Sequence, residues 1–263
     1  NELNIPTTTI QEKNYLKKND ELQNAQIQKS ENIGNCFSTA NKLFGLEKIE
    51  KDINSFNKEN KLFKKGMAIM PICFGVSFTN TTMNQARALV HIYQDGSIGI
   101  STGAIEMGQG VNTKLAQVAA RVFSIDIKRI KLESTNTSRV ANTSPTAASS
   151  GADLNGNALL IACNELHKRL KEVAAKMLDC SVDEIKLQDE SVIHNGKITD
   201  IKWQKLVQTA FLSRVCLTEN GHYATPTIHF DKSKEKGHPF AYHVYGTAIV
   251  TVTLDCLRGI YEV

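Results

Sequence analysis

Two stretches of this chain are rich in small, backbone-exposing residues, and each runs straight into a helix-forming segment. The first is Gly103-Ala104-Ile105-Glu106-Met107-Gly108-Gln109-Gly110. The second runs from Asn142 through Thr143-Ser144-Pro145-Thr146-Ala147-Ala148-Ser149-Ser150-Gly151 to Asp153. Backbone of this kind, ending at a helix N-terminus, presents N–H groups to an anionic ligand. Two such loops in one domain imply a large, phosphate-bearing cofactor gripped from two sides.

The flanking patterns support this placement. Ala88–Tyr93 and Ser97–Thr102 alternate around Asp95-Gly96, a strong hairpin signal, and the second strand leads into the first loop. Val111, Leu115, Val118, Ala119, Val122 and Phe123 then form one face of a helix. Residues 127–134 read as a strand, the second loop follows, and Leu159, Cys163, Leu166, Leu170, Val173 and Met177 keep helical register after it. A short echo links the two halves: Ile130-Lys131-Leu132 follows the first helix and Ile185-Lys186-Leu187 the second. Asn195-Gly196 marks a turn, 203–212 a helix, Gly237-His238-Pro239 a turn, and 241–254 a long strand. Hairpins mixed with helices after loops predict an α+β fold, with mixed hairpin-containing sheets and packed helices. Residues 1–65 are rich in Asn, Lys and Gln. They are expected to form a helical arm, or the remnant of a preceding subdomain, with helices over 22–30 and 37–57. Residues 66–263 are expected to form the α+β domain.

Composition narrows the classes. A net charge of +4, from 31 basic and 27 acidic residues, is too mild to argue for nucleic acid. No apolar run approaches a bilayer-spanning length, so no membrane partner is expected. A chain that opens on Asn1 rather than Met is expected to be processed or cut from something longer. The six cysteines form no CxxC pair, which leaves no local signature for a zinc ribbon or a cysteine-ligated iron–sulfur cluster. They are expected to be buried reduced thiols, which points to the cytoplasm. The seven histidines show no HxxxH or HExxH spacing and so no zinc motif. Lys168, Arg169, Lys171 and Lys176 read as a solvated helix face, and Trp203 as a packing anchor.

Taken in order, Phe74-Gly75-Val76-Ser77-Phe78-Thr79, Asn84-Gln85, Glu106 to Gly110, Thr113-Lys114, Asn142 to Ser149 and Ala152 to Gly156 resemble the xanthine dehydrogenase and aldehyde oxidase family, in its molybdenum-cofactor-binding domain. The resemblance runs from about Lys13 to the end and is most specific over 66–156. It lies closer to the xanthine dehydrogenase branch. It implies a molybdopterin cofactor held by Met107, Gly108, Gln109, Ala147, Ala148, Ser149, Ser150 and Gly151, with the Ala148 backbone near molybdenum. Phe78 and Thr79 match the family's substrate pair. The implied chemistry is hydroxylation of a purine or related heterocycle, with water as oxygen source. FAD and 2Fe-2S centres would lie elsewhere in the full enzyme, and the remaining domains or subunits of that enzyme would be partners in a homo-oligomer. The resemblance places the family's catalytic glutamate beyond Val263 and its other substrate-orienting groups before Asn1, so no catalytic residue is expected here and the piece alone should be inactive. A different class stays open: a non-catalytic binding module that keeps the fold and an anion site.

Overall fold

The computed structural model describes residues 5–133 and 135–263. They divide into two compact units, one of residues up to Val76 together with His229–Val263, the other of Ser77–Ile228. The fold is α+β, as the hairpin-and-helix pattern implies.

In the first unit, β1 (Phe63–Val76) and β11 (Tyr242–Asp255) form a long antiparallel ribbon, in register from Phe63 opposite Asp255 to Val76 opposite Tyr242. β12 (Ile260–Glu262) pairs with the end of β11, which leaves β1 at an edge. Pro71 is tolerated there because an edge strand can forgo an N–H. Gly66, where the sequence changes character, lies inside β1. Helices α1 (Thr7–Lys13), α2 (Asn32–Phe44) and α3 (Leu46–Glu59) precede the ribbon. Phe37 of α2, Leu46 of α3 and Ile69 of β1 form its small core.

Three expectations change in this unit. Residues 37–57 are not one helix. Gly45, at φ +63°, ends α2 and starts α3, and Phe44 is left exposed. Residues 22–30 are not helical either. Glu21 bridges Ile27, and Gln26 is buried with its amide exchanging hydrogen bonds with the Phe240 backbone. A polar residue buried by a partner more than 200 positions away leaves no periodic trace. Gly237 and His238 belong to the short strand β10 (Lys236–His238), paired with β9 (His229–Asp231), and the turn falls in the charged segment between them.

The second unit holds β2 (Gln85–Ile92), β3 (Ile98–Thr102), β4 (Ile130–Leu132) and β8 (Thr218–Ala224) in the order β4-β3-β2-β8. β3 and β4 run parallel, joined across α4 (Val111–Phe123). The 28-residue α5 (Gly151–Leu178) packs on β2, β8 and α4. β5 (Ile185–Gln188), β6 (Ser191–His194) and β7 (Lys197–Lys202) form an antiparallel sheet ahead of α6 (Trp203–Leu212). The Leu159, Cys163, Leu166 and Leu170 stripe of α5 is fully buried against Leu115, Phe123, Ile98 and Ile100. Each buried aliphatic side chain of this size contributes about 1.5–3 kcal/mol by leaving water. Trp203 is the anchor expected of it, buried with Nε1 donating to the Gly96 carbonyl at 2.7 Å.

The sequence echo is a structural one. α4 and α5 both end on a left-handed residue, Ser124 and Asp179, and each passes through a one-turn 3₁₀ helix into a strand beginning Ile-Lys-Leu. The strand expected over 127–134 is shortened to β4 by the first of those 3₁₀ turns, and Ser134 lies outside the described residues. Arg169 is not simply solvated. It pairs with Glu219 and donates to the Cys216 and Thr218 carbonyls, tying α5 to the approach to β8. All six cysteines are free, but only Cys163 is buried, where desolvation pushes its thiol up to about 12, and Cys216 and Cys256 are exposed. Among the described residues no helix is long and apolar enough to cross a membrane.

The tightest joint between α5 and the sheet is Gly221. A Cβ there would stand 2.0 Å from the Ala158 carbonyl oxygen and 3.0 Å from the Ala162 nitrogen. Backbone on both sides cannot yield like a side chain, so Gly221→Ala is expected to lower the unfolding free energy by about 3 kcal/mol. The shift in denaturant midpoint checks it, and a loss below about 0.5 kcal/mol would mean α5 does not press on β8 there.

Candidate functional site

The two small-residue loops meet. A Cβ on Gly103 would lie 2.1 Å from Thr143 Cγ2, so the absence of a side chain at 103 is what lets the second loop lie against the first. The Ile105 N–H donates to Thr146 Oγ1 at 2.9 Å, and Thr135 Oγ1 donates to the Ala104 carbonyl at 3.2 Å. Between them lies a hollow of about 460 Å³, lined by Met107, Gln109, Val111, Lys114, Thr146, Ala147, Ser149, Gly151 and Ala152. The first turns of α4 and α5 both open onto it.

Glu106 already occupies the helix terminus of the first loop. One carboxylate oxygen accepts the Gly108 and Gly110 N–H groups, both at 2.9 Å, and the other accepts the Asn112 N–H at 3.0 Å. The bond from Asn112, then that from Gly110, holds this carboxyl below its ordinary range. An acid stabilised as its anion is a poor general base, which is a physical reason to exclude Glu106 from that role. Gln109 folds back as well: Oε1 accepts the Met107 N–H and Nε2 donates to the Ile105 carbonyl. One N–H and one lone pair of its amide remain for a ligand. The expectation that the first loop offers its N–H groups is thus corrected, because Glu106 and Gln109 take the donors of Met107, Gly108, Gly110 and Asn112.

The second loop is arranged differently. Gly151 and Ala152 open α5, so their N–H groups have no intrahelical acceptor. Ser150 at the N-cap sends its hydroxyl to the Ala147 carbonyl instead of capping them. Lys114 stands one turn into α4, where a cation works against the helix dipole, and gives the hollow a positive rim. Gly108 and Gly110 have φ +93° and +74°, and a Cβ at either would meet nothing within 4 Å, so they need glycine for backbone reasons and leave open space above. Ala148 and Ser149, at φ +51° and +53°, hold a left-handed conformation unfavourable by about 1 kcal/mol each.

Of the residues singled out from sequence, Met107, Gln109, Ala147, Ser149 and Gly151 line the hollow, while Gly108, Ala148 and Ser150 belong to its loops without lining it. Phe78 and Thr79 do not line it. Phe78 is half-buried in a turn whose backbone N–H and C=O are both held by the buried Asn84 side chain, and Thr79 is exposed. Lys114, Thr146, Val111 and Ala152 complete the lining without having been singled out. Counting one helical turn from Gly110 finds Lys114 in the sequence. A broader depression of about 900 Å³ beside Arg121, Asp126 and Glu190 has much of its charge engaged: Glu190 pairs with Arg129, and Asp126 accepts the Lys128 N–H.

A hollow at the N-termini of two helices, with the Lys114 cation at its rim, gives this α+β domain a site whose chemistry suits an anionic ligand. Residues 39–263 match the family described as the molybdopterin cofactor-binding domain. The chain belongs to this family, in the form found in xanthine dehydrogenases and aldehyde oxidases. It is 36% identical over 257 residues to mouse xanthine dehydrogenase/oxidase, covering 97% of this chain and 18% of that protein. It is also 36% identical over 258 residues to aldehyde oxidase 2 of Macaca fascicularis, covering 98% of this chain and 18% of that protein. The chain therefore spans under a fifth of the length of these relatives. Among solved structures, the fold matches CO dehydrogenase from Oligotropha carboxidovorans with TM-score 0.76 at 17% identity, covering 99% of this chain and 33% of that one.

Two measurements check the loop geometry. Because the folded Glu106 pKa lies below its unfolded value, its contribution is complete above the unfolded value and fades as pH falls through the folded one. Glu106→Gln is expected to speed amide exchange of Gly108, Gly110 and Asn112 at neutral pH, after correction for intrinsic rates, and acidification should do the same in the unsubstituted protein. Unchanged protection would contradict the carboxylate's role. Gly103→Ala should cost about 2 kcal/mol through the clash with Thr143, and adding Thr143→Ala should recover most of it. Additive losses in a double-mutant cycle would contradict the contact.

Proposed function

We propose that this chain forms one wall of the cofactor cleft in a xanthine dehydrogenase-like, molybdopterin-dependent hydroxylase of purines or related heterocycles. The single observation that carries the reading is the shared hollow of Met107, Gln109, Ala147, Ser149 and Gly151, in a chain whose family binds this cofactor. The residues fit the group. The Gly151 and Ala152 N–H groups and Lys114 suit a phosphate, the free valences of the Gln109 amide suit a heterocycle edge or an oxo ligand, and Ala147 and Ser149 leave room beside them. When bound, the molybdenum centre would supply two-electron oxidation of an electron-poor carbon, with oxygen taken from water.

The chain's own residues bind and orient. Phe78 and Thr79 enter as the substrate pair through the family resemblance, Phe78 meeting a flat ring edge-to-face and Thr79 supplying one hydrogen bond. The Ala148 backbone is assigned to the neighbourhood of the metal on the same ground. The base, the FAD and 2Fe-2S centres, and the partner domains or subunits of a homo-oligomer belong to the rest of the enzyme, so the piece alone is inactive. A purine substrate and a role in purine catabolism are part of this proposal, because the aldehyde oxidase relative is as similar as the mouse xanthine dehydrogenase. Free cysteines without a disulfide fit a cytoplasmic setting.

Gln109→Ala and Ala147→Phe in the full-length protein test the reading. Ala147 is exposed on the wall, so the larger ring fills the hollow without entering the core. Each is expected to lower molybdenum and pterin content at least about tenfold, a loss of about 1.4 kcal/mol in retention, with thermal unfolding unchanged for Ala147→Phe. Full metal and pterin content in both would remove these residues from the cofactor site.

A further inference from the structure

α5 carries the hollow at its first turn and Cys180 two residues beyond its last. At about 1.5 Å rise per residue, its 28 residues put the two ends about 40 Å apart. At the far end, Asp179 turns the chain in left-handed conformation, Cys180 follows, and the 3₁₀ turn Val182–Glu184 delivers Glu184 to the start of β5. The β5–β6 hairpin then brings His194 opposite Ile185. The Cys180 thiol, a Glu184 carboxylate oxygen and a His194 ring nitrogen all lie within 4.8 Å of one another, and the three residues are half-buried. Among the described residues no other group of three His, Cys, Asp or Glu side chains meets this geometry. The spacing Cys-x₃-Glu-x₉-His contains no familiar zinc motif, because the hairpin register rather than a helix repeat assembles it.

We propose that Cys180, Glu184 and His194 form a binding site for one divalent transition-metal ion, Zn²⁺ foremost, with water as the fourth ligand. One sulfur, one imidazole nitrogen and one carboxylate oxygen suit zinc and exclude the all-oxygen preference of Mg²⁺ and Ca²⁺. Tetrahedral zinc with bonds of about 2.0–2.3 Å sets its donors about 3.5 Å apart, so the group, now within 4.8 Å, would draw in by about 1 Å around the ion. Glu184 is already oriented: Asn195 Nδ2 donates to Oε2 at 2.7 Å, and the Asn195 N–H donates to the Glu184 carbonyl at 3.1 Å. The 2.9 Å contact from His194 Nε2 to the same carboxylate is the one the ion would replace. Burial, then the Glu184 and Asp179 carboxylates, raise the Cys180 thiol above its ordinary value, and those carboxylates also make the site attractive to a cation. On binding, the S–H bond breaks, the sulfur–metal bond forms and the proton leaves to solvent, with no change of oxidation state. Side-chain exposures of 32% at His194 and 38% at Glu184 leave a path of entry.

The test uses the full native protein and Zn²⁺ alone, followed by zinc-specific elemental analysis and zinc-edge X-ray absorption. One zinc per chain is expected, with one sulfur at about 2.3 Å and the remaining ligands at about 2.0–2.2 Å. Cys180→Ser and His194→Ala should each weaken zinc affinity at least about tenfold, while Cys216→Ser, at an exposed thiol elsewhere, should leave it unchanged. A first shell with no sulfur or with more than one overturns the proposal on the unsubstituted protein, whatever the variants do. Equal affinity in both ligand variants overturns it as well.

Discussion

Gly103 has no side chain, and Thr143 stands where one would be. Everything about the hollow depends on that close approach. It brings the segment before α5 against the segment before α4 tightly enough for the Ile105 N–H to reach Thr146. β3 delivers the first loop, and α4 and α5 pack along each other behind it. Two helix N-termini that would otherwise repel are thereby held at one opening. A carboxylate from the chain itself, Glu106, satisfies the first of them.

That internal anion divides the labour between the loops. The first is largely self-satisfied, with Glu106 and Gln109 accepting from the Met107, Gly108, Gly110 and Asn112 N–H groups. The second is strained at Ala148 and Ser149, and the Ser150 side chain at its end does not cap α5. Strain and missing caps cost stability, and proteins retain them where a ligand or a mechanism benefits. Lys114 and the opening residues of α5, Gly151 and Ala152, line the same hollow, a combination whose chemistry suits an anionic ligand.

Much of this was legible in the sequence because it rests on local rules. Asp95-Gly96 and Asn195-Gly196 announce their hairpins, the Leu159-to-Val173 stripe announces α5, and the glycines at 108 and 110 announce positive φ. The repeated Ile-Lys-Leu marked a repeated helix–turn–strand unit. What was not legible depends on long-range partners. Nothing local to Gln26 reveals Phe240, and nothing in the alternation of β1 names β11 as its partner. Glu106 offers the clearest case. A carboxylate within a glycine loop can face solvent, a metal or its own backbone, and only the fold shows that it turns inward. The family match, in contrast, extends over residues 39–263, and the resemblance read from the ordered motifs of residues 66–156 lies inside it.

The most direct measurement is a molybdenum-edge anomalous and electron-density map of the full-length protein with its cofactor bound. Pterin density is expected in the hollow, within hydrogen-bonding reach (about 3.2 Å) of the Gln109 side chain and the first N–H groups of α5, with Glu106 still bonded to its own loop. Pterin density elsewhere, with the space between Met107 and Ser149 filled by solvent alone, would contradict the assignment of this hollow.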